Sequence, residues 1–68
     1  MVFKDRLRDL RKERGLSQQA VATAIGLSQR AYSFYEPGYR EPTFDTLILI
    51  CKFFDVSADY LLGLSDLY

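Results

Sequence analysis

The stretch LSQQAVATAIGLSQRAYSFYE, Leu16 to Glu36, carries two short helical patterns joined at Ile25-Gly26-Leu27-Ser28. Ser17 suits an N-cap, because its hydroxyl can accept from a free amide of the first turn. It predicts a helix over about Gln18–Ile25, with Val21, Ala22 and Ile25 turned inward at helical spacing. Gly26 permits a left-handed turn, and Ser28 caps another helix over Gln29–Glu36. Pro37 stops that helix, since the residue before a proline resists the helical region. A helix, a short glycine-containing turn and a second helix make a helix-turn-helix unit, here about residues 17–36.

The flanking sequence is helical too. Phe3, Leu7 and Leu10 recur at i, i+4 and i+7, predicting an amphipathic first helix over about Val2–Arg14 that ends at Gly15. Gly38-Tyr39-Arg40-Glu41-Pro42 has the composition of a loop. Thr43 caps a helix over Phe44–Phe54, and Ser57 caps a short one over Ala58–Leu62, closed by Gly63. The alternating period of strands appears nowhere. The expectation is an all-α, compact five-helix domain, with residues 1–68 forming a single unit.

Composition narrows the function classes. A chain of 68 residues buries only about 60% of its unfolded surface, but 49% hydrophobic and 15% aromatic residues supply one core. Cys51 is alone and cannot form an intramolecular disulfide. With no histidine beside it, no metal site is expected. No Gly-rich phosphate loop and no nucleophile–base pair surround Cys51, so the chain reads as non-enzymatic, with no cofactor and no evident small-molecule ligand. No apolar run approaches the roughly 18 residues that span a membrane. The N-terminal MVFKDRLRDLRKERG is too charged for a signal peptide, which points to the cytoplasm.

Nine Lys+Arg balance nine Asp+Glu, yet the charges are segregated along the chain. Lys4, Arg6, Arg8, Arg11, Lys12 and Arg14 outnumber Asp5, Asp9 and Glu13 in the first helix. Beyond Pro42, Lys52 faces Asp45, Asp55, Asp59 and Asp66. Solvated helix faces account for most of these charges. A domain polarised in this way could also turn its basic end toward a polyanion and its acidic end away.

The third predicted helix carries the chemistry. At about 100° per residue, Gln29, Arg30, Ser33 and Phe34 share one arc, while Tyr32 and Tyr35 lie opposite. A bland surface helix would present Glu and Lys on that arc, for solubility and i,i+4 pairing. The groups present suit base reading instead: Gln pairs with adenine N6/N7, Arg with guanine O6/N7, and an apolar ring meets a thymine methyl. Ordinary surface residues with one ring half-covered would look the same from this helix alone. The helix-turn-helix unit favours DNA, because its second helix is the one that enters the major groove. Ser17 and Gln18 begin the preceding helix, where free amides suit a phosphate.

Three segments, RLRDLRKERGLSQQAVATAIGLSQ, YEPGYREPTFDTL and FFDVSADYLLG, resemble the helix-turn-helix family of lambdoid phage repressors, Cro proteins and related bacterial regulators. The resemblance implies a lambda repressor-like DNA-binding fold and a bacterial or phage-encoded transcription regulator, typically a repressor. It implies a homodimer on a two-fold double-stranded DNA operator. It places Gln18 at a phosphate-clamping position, Ser28, Gln29, Arg30, Ser33 and Phe34 at the start and on the reading face of the third helix, and Tyr39 and Arg40 in a loop beside the DNA backbone. Arg11 and Glu36 match a pair that salt-bridges the first helix to the end of the third. Phe34, Pro37 and Tyr39 stand where relatives often have polar or basic residues, and Asp55 where a glycine commonly ends the fourth helix. Arg30 and Arg40 are then the cations expected on the DNA face.

A dimer needs a surface. Leu49 and Phe53 lie one turn apart, at positions that the resemblance implies face solvent, and Leu64, Leu67 and Tyr68 follow the fifth helix with little core left to fill. They are the candidate interface, unless they fill the small core themselves. A second reading keeps the fold but gives Phe34, Tyr35, Tyr39 and the leucines to a protein partner, as on an antirepressor or antitoxin. Gln29 and Arg30 discriminate between the two, since a protein-binding surface has no particular need of both beside a capped helix start.

Overall fold

The computed structural model describes residues 2–68, which form five helices. They are α1 (Val2–Glu13), α2 (Gln18–Ala24), α3 (Gln29–Ser33), α4 (Phe44–Phe54) and α5 (Ala58–Leu62). Among the described residues there is no strand, and no helix is long and apolar enough to cross a membrane. The order and positions match the predicted pattern, with one clear difference at α3.

The caps explain where the helices begin. Ser17, Ser28, Thr43 and Ser57 each accept from the amide three residues on, at 3.0, 3.1, 3.2 and 3.0 Å. Each such cap contributes about 1 kcal/mol. The turn between α2 and α3 is equally well bonded: Gly26 donates to the Thr23 carbonyl at 3.2 Å and Leu27 to Ala22 at 2.9 Å. This is the Schellman arrangement, which needs a left-handed residue at Gly26. Its φ is +78°, where a side chain would be strained. The hinge is therefore a bonded corner that sets the angle between the two helices.

Phe3, Leu7 and Leu10 of α1, Val21 and Ala22 of α2, Ile25, Tyr32 of α3, Ile50 and Phe54 of α4, and Leu61 of α5 are all buried in one core. Ala22 is fully buried in this core, so a longer side chain there would push its neighbours apart.

α3 was expected to run to Glu36 but ends at Ser33. Tyr35 donates to the Tyr32 carbonyl at 2.9 Å, and Tyr39 and Arg40 both donate to the Phe34 carbonyl, at 3.0 and 3.1 Å. Pro37 has no amide to continue the helical ladder, so the chain winds into tight turns before it.

The sequence-level charge segregation does not survive folding intact. α1 packs against α5, which brings the acidic C-terminal part back to the basic helix. Arg6 bonds the Tyr60 carbonyl and, at 2.6 Å, the Ser65 carbonyl. It also pairs with Asp66 at 2.8 Å. The chain reverses direction, so opposite ends of the sequence become neighbours and part of the expected dipole cancels.

Candidate nucleic-acid interface

The site is built from the outer side of α3, the first turn of α2 and the loop 38–41. Gln29 and Arg30 are exposed, and among the described residues neither side chain makes a hydrogen bond or an ion pair within the domain. Ser28 is exposed with its hydroxyl oxygen capping Ala31, and Ser17 likewise caps Ala20, each keeping its O–H free to donate. Ser33 differs: its hydroxyl donates to the Arg30 carbonyl at 2.7 Å, so only its lone pairs are left for another group.

Phe34 is half-buried, and the Arg40 guanidinium lies over its ring, 5.2 Å from the centroid. The contact holds loop and helix together and leaves a groove of about 480 Å³ between them, lined by Ser28, Arg30, Phe34, Arg40 and Thr43 among others. Tyr39 stands out into solvent, 78% exposed.

A third cation belongs here that sequence reasoning missed. The aliphatic stem of Lys4 lies against Gly38, its Cδ 2.8 Å from where a Cβ on that glycine would sit. Lys4 and Arg40 line one cleft beside the loop, together with Glu41. Nothing in the local sequence could have revealed this, because Lys4 is reached only through the packing of α1 on the loop.

Behind the outer face sits a buried carboxylate. Glu36 is 4% exposed. It accepts from Arg11 Nε at 2.7 Å and Arg11 Nη2 at 2.9 Å, from the Tyr32 hydroxyl at 2.6 Å and from Gln18 Nε2 at 3.3 Å. Arg11 spends Nη1 on the Leu16 carbonyl at 2.9 Å. Burial alone pushes the Glu36 carboxyl up, but the bonds from Arg11 and Tyr32 and the Arg11 charge outweigh it and hold it below the ordinary carboxylate value. Burial and the neighbouring carboxylate push the Tyr32 phenol far above its usual range, so it stays a donor. Gln18 is half-buried, with its amide turned to Glu36.

No cluster of three or more His, Cys, Asp or Glu side chains that could hold a metal occurs among the described residues. Burial pushes the Cys51 thiol up, away from the thiolate that nucleophilic chemistry needs.

A family model described as helix-turn-helix matches residues 7–61, which takes in all of α2, α3 and α4. This chain belongs to the helix-turn-helix family. It is 46% identical over 61 residues to the uncharacterised helix-turn-helix-type transcriptional regulator YqaE of Bacillus subtilis, covering 90% of this chain and 53% of YqaE. It is 37% identical over 65 residues to the cryptic phage CTXphi transcriptional repressor RstR of Vibrio cholerae, covering 96% of this chain and 59% of RstR. The crystal structure of the P22 c2 repressor with a synthetic operator superposes with a TM-score of 0.84 at 31% identity, over 90% of this chain and 92% of that one. The fold is thus that of the repressor-type helix-turn-helix domains. The chain spans little more than half the length of the curated relatives it matches first, 58% and 53%.

Proposed function

We propose that this helix-turn-helix chain is a sequence-specific binder of double-stranded DNA, with α3 in the major groove, acting as a transcription regulator and most naturally a repressor. The observation that carries this is the outer face of α3, where a free amide and a free guanidinium stand side by side on a helix whose inner face is locked. The repressor relative RstR and the operator-bound P22 c2 repressor support the reading. Gln29, Arg30 and Phe34 read base edges, with Ser28 and Ser33 beside them. Ser17, Gln18, Tyr39 and Arg40 meet the backbone, and Lys4 adds a second loop cation. Residues 1–68 act as one DNA-binding domain, working in the cytoplasm of a bacterium or from a phage genome.

Zero net charge does not prevent this. Binding to phosphate depends on the local cations that displace counterions, at about −0.9 in log–log salt slope per phosphate neutralised. With Arg40 and Lys4 on each protomer, a dimer should show a slope of roughly −3.6. Duplex DNA selected from a random pool and titrated by fluorescence anisotropy at several salt concentrations tests the reading. Saturable binding with such a slope supports it, and no selectable site at low salt sinks it.

The homodimer is part of the proposal. Leu49, Phe53, Leu64, Leu67 and Tyr68 are all exposed, as a contact surface requires, although Tyr68 also bonds Glu13 through its hydroxyl and packs edge-on against Tyr60. The apolar surface is wider than the sequence suggested. Phe44, 84% exposed, lies one turn from the exposed Ile48, and Phe44 and Leu62 line an apolar groove beside Pro42. α4 thus carries two apolar flanks, with the charged Asp45 and Lys52 between them. Sedimentation at high micromolar concentration should give a dimer that Leu49→Glu or Ile48→Glu breaks, and whichever does so identifies the flank used. A monomer under those conditions removes the dimer from the account.

A further inference from the structure

The buried Glu36 carboxylate has about four acceptor positions, and all are taken. Oε2 receives Arg11 Nε and the Tyr32 hydroxyl, while Oε1 receives Arg11 Nη2 and Gln18 Nε2. One side chain therefore joins α1, the start of α2 and the inner face of α3. An ionised carboxylate can only accept, so it decides which way the Gln18 amide faces: the NH2, not the carbonyl oxygen, must turn to Oε1. That NH2 has two hydrogens and spends one. The other is left for a second acceptor, whereas a flipped amide would meet an anionic oxygen with its own carbonyl.

Tyr32 is fully buried and cannot touch DNA. Its ring fills the core, for which a phenylalanine would serve as well. Its hydroxyl does something else, occupying Oε2 at 2.6 Å on the side away from Gln18 and so restraining rotation of the carboxylate. Among the described residues Arg11 Nε is the one other donor on that oxygen, so loss of the hydroxyl loosens Glu36, and Gln18, held by the longest of the four bonds, is the group that follows.

We propose that Tyr32 is a positioning residue for DNA-backbone binding: through Glu36 it fixes the Gln18 amide with an N–H presented to a phosphate oxygen. This rests on the reading above, in which Gln18 meets the backbone. The ligand chemistry is a phosphodiester of the duplex, and the contact is a neutral hydrogen bond.

The test is a double-mutant cycle on the selected duplex with wild type, Tyr32→Phe, Gln18→Ala and the double variant, each melted first to confirm folding. Tyr32→Phe should weaken binding roughly three- to tenfold, the scale of one net hydrogen bond. The salt slope should not change, because a neutral donor releases no counterion. In the Gln18→Ala background the second substitution should do nothing further. Equal weakening in both backgrounds overturns the inference and makes the hydroxyl merely structural, and so does wild-type affinity in Tyr32→Phe. Wild-type affinity in Gln18→Ala removes the contact on which it rests, and failure of wild type on every duplex removes the DNA reading itself. The side-chain amide protons of Gln18 give an independent readout in free protein. Their NMR signals should move toward those of a solvated amide in Tyr32→Phe, and unchanged signals count against the inference.

Discussion

The inner and outer sides of α3 differ in what their polar groups have to bond. Inward, Tyr32 and Glu36 are buried and every polar atom is paired, as it is for all buried side-chain N and O atoms among the described residues. Outward, the Gln29 and Arg30 side chains end in solvent with no partner among the described residues. An unpaired buried group costs about 1–3 kcal/mol, so the inner side had to be completed within the chain. The outer side carries no such penalty and is free to be completed by something else. Stability and recognition are thus divided by face across α3 and the turn that follows it.

The strongest way to break the comparison is Glu36→Ala. It leaves the Arg11 guanidinium and the Tyr32 hydroxyl without their acceptor in the interior, at a cost of about 3–5 kcal/mol. Urea denaturation should show most of the domain's stability gone. Arg30→Ala, on the outer side, should change the same measurement by no more than about 0.5 kcal/mol. Similar losses from both would mean the faces are not divided.

Acid should find the inner side next. The Glu36 carboxyl sits below its ordinary value of 4.5 in the folded chain, so the unfolded chain takes up that proton first. Its contribution is complete above that value and is lost as pH falls through the lower folded one. Thermal melts from pH 6 to pH 3 should show a steeper fall in Tm than the same series on Glu36→Gln, whose amide does not titrate. Parallel curves would locate acid sensitivity elsewhere.

A smaller effect lies at the end of α4. Asp55 holds a left-handed conformation, φ +56° and ψ +49°, and is the only non-glycine among the described residues at positive φ. Left-handed backbone costs an L-residue about 1–2 kcal/mol, part of which glycine's greater unfolded-state freedom returns. Asp55→Gly should therefore stabilise the domain by about 1 kcal/mol, raising Tm by roughly 4–8 °C. A lower Tm would mean that the aspartate side chain compensates for its backbone.

Much of this was legible in the residues. Serines and a threonine before apolar runs marked four helix starts, and Gly26 marked the hinge, because caps and left-handed turns are local chemistry. The outward arc of Gln29 and Arg30 followed from helical spacing alone. Other features depend on chain reversal and were hidden. Lys4 reaches the loop, and Arg6 reaches Asp66, through packing between segments far apart in sequence. The predicted third helix overruns α3 because residues 34–36 are still helix-like in composition before Pro37, although they close in tighter turns. On α4, FDTLILICKFF is apolar almost all round, so periodicity could not say that Phe44 and Ile48 would stay exposed. The bond from Tyr32 to Glu36 is hidden for a different reason: helical spacing turns the ring inward but does not say where its hydroxyl ends.

The central claim is that the outer side of α3 reads bases. It is tested most directly by competition binding of wild type and Arg30→Ala against every single-base-pair variant of the selected duplex. Discrimination should collapse about tenfold or more at one base pair of each half-site, the worth of one bidentate contact, and persist at the others. Uniform weakening across all variants would contradict the claim, leaving Arg30 as one more backbone contact and α3 without a reading role.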